Sequence, residues 1–481
     1  MNPAHSTSSD HRDTRDEAQV RKDLHRAAWA CSLGSALEYY DFALYTLASA
    51  LIFGPLFFPE QSRAMSLIAS FGTYFLGFAI RPLGGVLFGM IGDRVGRKFV
   101  LSSTVLLMGI SSTLIGALPT FATAGYLAPV LLVLLRLLQG LGAGAEQAGA
   151  AVMMTEYAPK GRRGFFAALP FLGIQLGTIL AAVVYFFVVS GTEHVTETWL
   201  WRVPFFISVI IVALGLYMRL RLKESPTFIR LKALKQECQN PLKSALKHSK
   251  PTLLIGIGLR LAENGGSSIY QALAVSYIVG VVGLKGPVGV LTLICAACIG
   301  AITVPIAGKL SDRFGRVKVY RSFALLQLAL AFPVWWVLSQ GNVVASIIAI
   351  ALALGIGTWG MFGTQAALMP ELFGSRHRYM GVSIAREVSA VIAGGIAPMI
   401  GAGIIALTVV RHEGQEQAGI GAWLPIACYL ALLTVATLYT TFKTPETLNR
   451  DLDEPRDAAE VAKAQRNQVP ASDALELRRQ A

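Results

Sequence analysis

Gly89-Met-Ile-Gly-Asp93-Arg94-Val-Gly96-Arg97-Lys98 returns as Gly308-Lys-Leu-Ser-Asp312-Arg313-Phe-Gly315-Arg316-Val-Lys318, an offset of 308 − 89 = 219 residues. A second landmark keeps nearly the same spacing. Glu156 with Arg162 and Arg163 is echoed by Glu371 with Arg376 and Arg378, an offset of 371 − 156 = 215. Two landmarks at nearly one offset mark an internal duplication, so the chain reads as two similar halves. In the first copy, Gly89 lets a helix end approach its neighbour, and Gly96 permits a tight turn. Asp93 can pair with Arg94 or Arg97 or face a helix N-terminus. Arg97 and Lys98 anchor the turn among headgroups. The second copy repeats these residue types at Gly308, Asp312, Arg313, Gly315 and Arg316.

Around these turns lie apolar runs of the length that crosses a hydrocarbon core of ~30 Å, about 20 residues in a helix. Of 481 residues, 54% are hydrophobic and only 15% charged, against about 25% charged in a typical soluble chain. The runs predict an all-α polytopic membrane protein of twelve helices, at 27–53, 63–91, 98–118, 127–155, 163–189, 199–220, 251–280, 287–309, 317–339, 343–370, 379–408 and 420–442. Two six-helix bundles, 27–220 and 251–442, follow from the duplication. They are flanked by tails at 1–26 and 443–481 and joined by a basic linker at 221–250 with Pro226 and Pro241, read as lying on the membrane surface.

Lys and Arg concentrate in alternate loops, with Arg94, Arg97 and Lys98, then Lys160 to Arg163, then 221–250, then Arg313 to Arg321, then Arg376 and Arg378. The intervening loops are short or nearly free of them. This bias predicts both termini in the cytoplasm and the chain in the inner membrane. It also accounts for the net charge of +13. No basic stripe with interleaved aromatics is present, so nucleic acid is not an expected partner. The expected partners are a small solute, protons and the lipid bilayer, with the chain working as a monomer. No cleavable signal is read, because the first apolar run outlasts a signal core. The five cysteines lie in apolar runs or a basic loop, which argues against disulfides.

Ionisable residues inside a span are costly and usually functional. They are Glu38, Asp41, Arg81, Arg136, Glu146, Arg260, Glu263, Arg386 and Glu387, whereas all seven histidines fall in loops or tails. Any proton is therefore expected on a carboxylate. Asp41 lies about 21 Å into span 1 from the inner end and Arg136 ~14 Å down span 4 from the outer end. The two are expected to form a switchable pair for proton coupling, with Glu38 on the same face of its helix. Arg81 and Glu146 fall at similar depth and are expected to pair as a gate. Arg260 is expected to receive a substrate carboxylate, with Glu263 and Asn264 beside it. Tyr39, Tyr40, Tyr270 and Trp359 could form an aromatic cage for a quaternary ammonium. No phosphate-binding loop is present, so ATP is not the expected energy source. Gly140-Leu-Gly142-Ala-Gly144 has no preceding strand and reads as helix packing. No nucleophile–histidine–acid set is found, so no enzyme activity, metal or cofactor is expected.

The Gly-x-x-x-Asp-Arg-x-Gly-Arg-Lys pattern resembles the signature of the major facilitator superfamily. That resemblance implies a gating lock at both copies and alternating access between the bundles. Sugar–proton members are similar in pairing a span-1 aspartate with a span-4 arginine. Gly34-Ser-Ala-Leu-Glu38-Tyr39-Tyr40-Asp41-Phe42-Ala-Leu-Tyr45, with Leu56-Phe57-Phe58-Pro59, Arg81-Pro82-Leu-Gly84-Gly85 and the stretch from Arg136 to Glu146, looks like the metabolite:H⁺ symporter family. Over 27–442 the likeness implies proton-driven uptake of shikimate, 2-oxoglutarate, citrate-like acids, or proline and betaine. Tyr39 and Gln147 stand where that family often has tryptophan. The 443–481 tail lacks the heptads of osmolyte-sensing members. A carboxylate-bearing metabolite is the expected cargo, a zwitterionic osmolyte its rival, and a sensor without transport the rival from another class.

Overall fold

The computed structural model describes residues 10–95, 97–144, 146–191, 195–220, 249–375, 378–408, 410–412, 415–417 and 420–468. In the first half the helices are α1 (Asp10–Leu51), α2 (Arg63–Ala79 and Arg81–Val95), α3 (Arg97–Ala117), α4 (Leu127–Ala143 and Glu146–Tyr157), α5 (Arg163–Ser190) and α6 (Val203–Leu220). The second half has α7 (Lys250–Gly280 in three segments), α8 (Gly286–Phe314), α9 (Arg316–Ser339), α10 (Val343–Leu372), α11 (Arg378–Leu407) and α12 (Trp423–Lys443). Among the described residues, seven helices are long and apolar enough to cross a membrane, and three shorter apolar helices lie in α3, α4 and α6. The other two, α1 and α7, carry Glu38 and Asp41, and Arg260 and Glu263, respectively. Their low hydropathy comes from the charges that make them interesting.

Local chemistry explains the breaks. Pro82 has no N–H to offer, and α2 is interrupted one residue before Arg81. In the second half, π-helical turns interrupt α7 at Ile269–Leu273, α10 at Ala351–Thr358 and α11 at Ala390–Gly395. Such turns widen the backbone and often mark functional sites. The turns in α7 and α11 border the space between the halves, which Gln271 and Ala390 line.

Three features depart from the expected layout. Helix α1 starts at Asp10 rather than near residue 27, and its 42 residues reach about 63 Å at 1.5 Å per residue. The tail after α12 is not free: residues 444–457 fold back on the basic loops, and a further helix, α13 (Ala458–Gln468), follows. A small antiparallel hairpin between α11 and α12 pairs β1 (Val410–His412) with β2 (Gln415–Gln417). Of the predicted linker, 221–250, residues 221–248 lie outside the described residues, and the next helix already starts at Lys250.

The two halves meet along α5 against α8 and α2 against α11. Outer faces expose large apolar side chains such as Phe187, Ile302, Leu407 and Phe442, while Arg136, Arg260, Arg316, Glu263 and Glu371 are buried. This inversion of the soluble pattern suits a protein whose solvent is hydrocarbon.

Candidate functional site: the interface cavity and the basic-face latch

A cavity opens between the halves, with about 580 Å³ of empty space counting the solvent at its mouth. Tyr39 and Phe42 of α1, Tyr74, Phe78 and Arg81 of α2, and Ile174 and Thr178 of α5 form one wall. The other wall has Arg260, Glu263 and Asn264 of α7, Trp359 and Phe362 of α10, and Arg386 and Glu387 of α11. Phe171 and Phe362 stack across the interface at 4.2 Å and 7°, on the side nearer the basic loops. On the other side Tyr74 and Ser268 hydroxyls meet across the halves at 3.4 Å.

Arg81 was expected at a gate with Glu146. Its guanidinium lies in the cavity, 4.7 Å from the ring centres of both Phe42 and Phe78. The Glu146 side chain is outside the described residues. Arg260 is 3.3 Å from Glu263, and donates to Gln365, Asn264 and Ser389, each at 3.0 Å. Every nitrogen of its guanidinium therefore has a partner inside the second half.

Asp41 and Arg136 do not form the direct pair that matching depth suggested. Asp41 turns toward α6 and accepts from Ser208 Oγ. Arg136 lies over the Tyr45 ring at 3.8 Å and donates to Gln139 Oε1, and Gln139 Nε2 donates to Ser112 Oγ at 2.7 Å. Gln139 and Ser112 thus lie between the aspartate and the arginine. Arg136 Nε and Nη2 have no hydrogen-bond partner among the described residues. A side chain at Gly77 would collide with Arg136 Nε, so the glycine makes room for the guanidinium. Arg81 and Arg136 line one smaller pocket with Gln139, which links this chain to the main cavity.

Two residues expected at the substrate site sit elsewhere. Tyr40 is buried and donates to the Pro204 carbonyl of α6 at 2.9 Å, because successive helical residues point about 100° apart. Tyr270 stacks on Trp335 with centroids 6.3 Å apart. Glu38 is buried but is not among the lining residues. Tyr39, Trp359, Asn264 and Glu263 do line the cavity. Arg386 and Glu387 were visible only as intramembrane charges with no role. Ser112, Ser208, Phe171 and Phe362 gave no sequence signal beyond their spans.

At the basic face the second signature copy joins the halves. Asp312 Oδ1 and Oδ2 accept from Gly164 N at 2.7 Å and Phe165 N at 2.9 Å, capping the first turn of α5. Arg316 Nη1 binds Asp312 at 2.7 Å, and its Nε and Nη2 fork onto Glu371 at 3.0 and 3.1 Å. Thr447 Oγ1 donates to the same carboxylate at 2.8 Å. Gly308 packs backbone to backbone against Gly164, and Gly315 has φ +103. Arg313 is exposed and lies over Phe314 at 5.3 Å, placing it outside the latch. Glu156 of α4 pairs with Arg378 of α11 at 2.9 Å. Gly96, the surroundings of Gly89, and the side chains of Asp93, Arg94, Arg97 and Lys98 lie outside the described residues. Among the described residues, no three His, Cys, Asp or Glu side chains converge as a metal site would require.

Comparison with known proteins agrees with this architecture. A model of the Major Facilitator Superfamily matches residues 31–398. The chain is 34% identical to the shikimate transporter of Escherichia coli K12 over 412 residues, 85% of this chain and 93% of that one. It is also 34% identical to the proline/betaine transporter of Salmonella typhimurium LT2, over 92% of this chain and 87% of the relative. Its fold is similar to the E. coli proton:xylose symporter XylE, with a TM-score of 0.69 at 18% identity, covering 91% of this chain and 98% of that structure. Relatives of this kind are transporters rather than enzymes. With twelve helices in two halves, a polar cavity between them and a duplicated signature at one face, this chain belongs to the major facilitator superfamily and is a multi-pass membrane transporter.

Proposed function

We propose that this transporter couples inward proton flow to uptake of a small carboxylate-bearing metabolite across the inner membrane. The bundles at 27–220 and 251–442 would rock about the cavity, with the basic face and both termini in the cytoplasm and one chain forming the working unit. The observation that carries the reading is the cavity's charge set. Arg81, Arg260 and Arg386 face Glu263 and Glu387, an excess of 3 − 2 = +1. Desolvated charge of that density is expensive unless it meets a charged ligand. Its sign favours an anion.

The proton role is proposed for Asp41. It is 3% exposed, accepts from Ser208, and has Ser112 and Gln139 between it and Arg136. A cation held over aromatic rings, with two nitrogens lacking hydrogen-bond partners among the described residues, would gain from any approach of a charged Asp41. Protonation of Asp41 would release it. Replacing Asp41 with Asn should reduce pH-gradient-driven accumulation in proteoliposomes to the level set by the solute alone, while solute exchange persists. Undiminished uphill accumulation would sink the proton role.

A zwitterionic osmolyte is a second reading, favoured by the aromatic wall of Tyr39, Phe42, Tyr74 and Trp359. The proline/betaine relative points the same way. Uptake measured at constant pH with and without raised osmolarity separates the two readings.

A further inference from the structure

Arg81 and Glu387 are each 5% exposed and lie on opposite halves of the transporter. Arg81 is held between the rings of Phe42 and Phe78. Rings orient a guanidinium but offer no acceptor for its N–H groups. Its Nε and the Glu387 Oε2 both lack a hydrogen-bond partner among the described residues. Both side chains line the cavity, Arg81 from the wall of the first half and Glu387 from that of the second. No described ion pair joins the two. Opposite charges thus face each other across the cavity, desolvated, without touching. Arg260 is arranged differently, with its donors already held by Gln365, Asn264 and Ser389 and the Glu263 carboxylate 3.3 Å away.

We propose that Arg81 and Glu387 form a two-point clamp for a small carboxylate that also carries a hydrogen-bond donor, either a hydroxyl or a protonated amine. The proposal rests on the reading that the cargo is a carboxylate, and it transfers the anchoring role from Arg260 to Arg81. The solute carboxylate takes the open edge of the Arg81 fork. Its donor group fills the vacant acceptor of Glu387. A ligand held at both points ties α2 to α11 and so favours the closed arrangement of the halves. An analogue without the donor leaves Glu387 buried and unpaired, and a second carboxylate in its place is repelled.

The test is ligand-induced thermal stabilisation of the purified full-length protein with two matched probe pairs. One pair is glycerate against propionate; the other is proline against its N,N-dimethyl betaine. Glycerate or proline should half-saturate at a concentration about 10- to 100-fold below that of its donor-free partner, the worth of a hydrogen bond to a charged group. Glu387→Gln should collapse that ratio without abolishing the donor-free response. Arg81→Gln, and Arg81→Lys in lesser degree, should weaken every carboxylate. Equal affinity within both pairs, or unchanged affinities in a folded Arg81→Gln or Glu387→Gln protein, would overturn the clamp and leave the carboxylate reading intact. A wild-type protein that responds to none of the four probes would overturn both. If the folded variants lose all response, Arg260→Gln serves as the reference, and a loss as large there as at Arg81 also overturns the assignment.

Discussion

Valine at Gly164 or Gly308 is expected to abolish net uptake while leaving the protein folded in the membrane. The two glycines stand where α5 of the first half crosses α8 of the second. A Cβ on Gly164 would strike the Gly308 carbonyl and come within 2.6 Å of Ser311 Oγ. A Cβ on Gly308 would strike the Gly164 carbonyl and lie 2.9 Å from the Ala168 Cβ. The obstacle in each case is backbone, which cannot rotate aside, so the halves must separate. Separation also pulls Asp312 from the first turn of α5, removing the caps on Gly164 and Phe165. The basic side of the cavity should then stay open. With the native cysteines replaced by serine, a reporter at Thr178→Cys on the cavity wall should react with an impermeant thiol reagent from the basic face faster by about tenfold or more, as expected for a population shift above ~1.4 kcal/mol. Normal uptake and unchanged labelling in the valine variants would show that this contact is not a gate.

The second large effect is on stability. Arg316 is 1% exposed and Glu371 is fully buried. Their forked pair, shared with Asp312, Ser311 and Thr447, is the centre of the latch. Arg316→Ala strands the Glu371 carboxylate, and breaking one side of a buried pair costs about 3–5 kcal/mol. Arg316→Lys should recover only part of this, because an ammonium cannot reproduce two parallel bonds. Arg316→Met combined with Glu371→Gln should recover most of it, since removing both charges leaves neither unpaired. Thermal unfolding of the detergent-purified variants tests the order. A double variant no more stable than Arg316→Ala would show that the loss comes from packing rather than from the stranded charge.

The latch also reaches beyond the signature. Glu446 accepts from Arg316 N at 2.8 Å and Val317 N at 3.1 Å, capping α9. Arg163 of the first half donates to the Arg450 carbonyl at 2.6 Å, and Arg378 donates to the Leu452 carbonyl. Gly374 N donates to Asp457 at 2.8 Å. The segment after α12 is therefore a strap across the loops of both halves. It attaches through the backbone carbonyls of Arg450 and Leu452 and through the side chains of Glu446, Thr447 and Asp457, polar groups that a free tail also carries, so its composition looked like that of one.

The sequence alone determined the twelve spans, the duplication and the depth of each buried charge. These depend on the length of apolar runs and on distance along a single helix, both of which are local quantities. It could not determine azimuth. Asp41 and Arg136 match in depth, yet one turns to Ser208 and the other to Tyr45 and Gln139. Tyr39 reaches the cavity while adjacent Tyr40 binds α6. Arg81 and Arg260 read alike as lone arginines in hydrocarbon, but neighbouring helices supply Arg260 with acceptors and Arg81 with aromatic rings. Which face of a helix meets which neighbour is set by packing between segments far apart in the chain. Only the tertiary structure could therefore decide which of these charges is already satisfied and which still waits for a ligand.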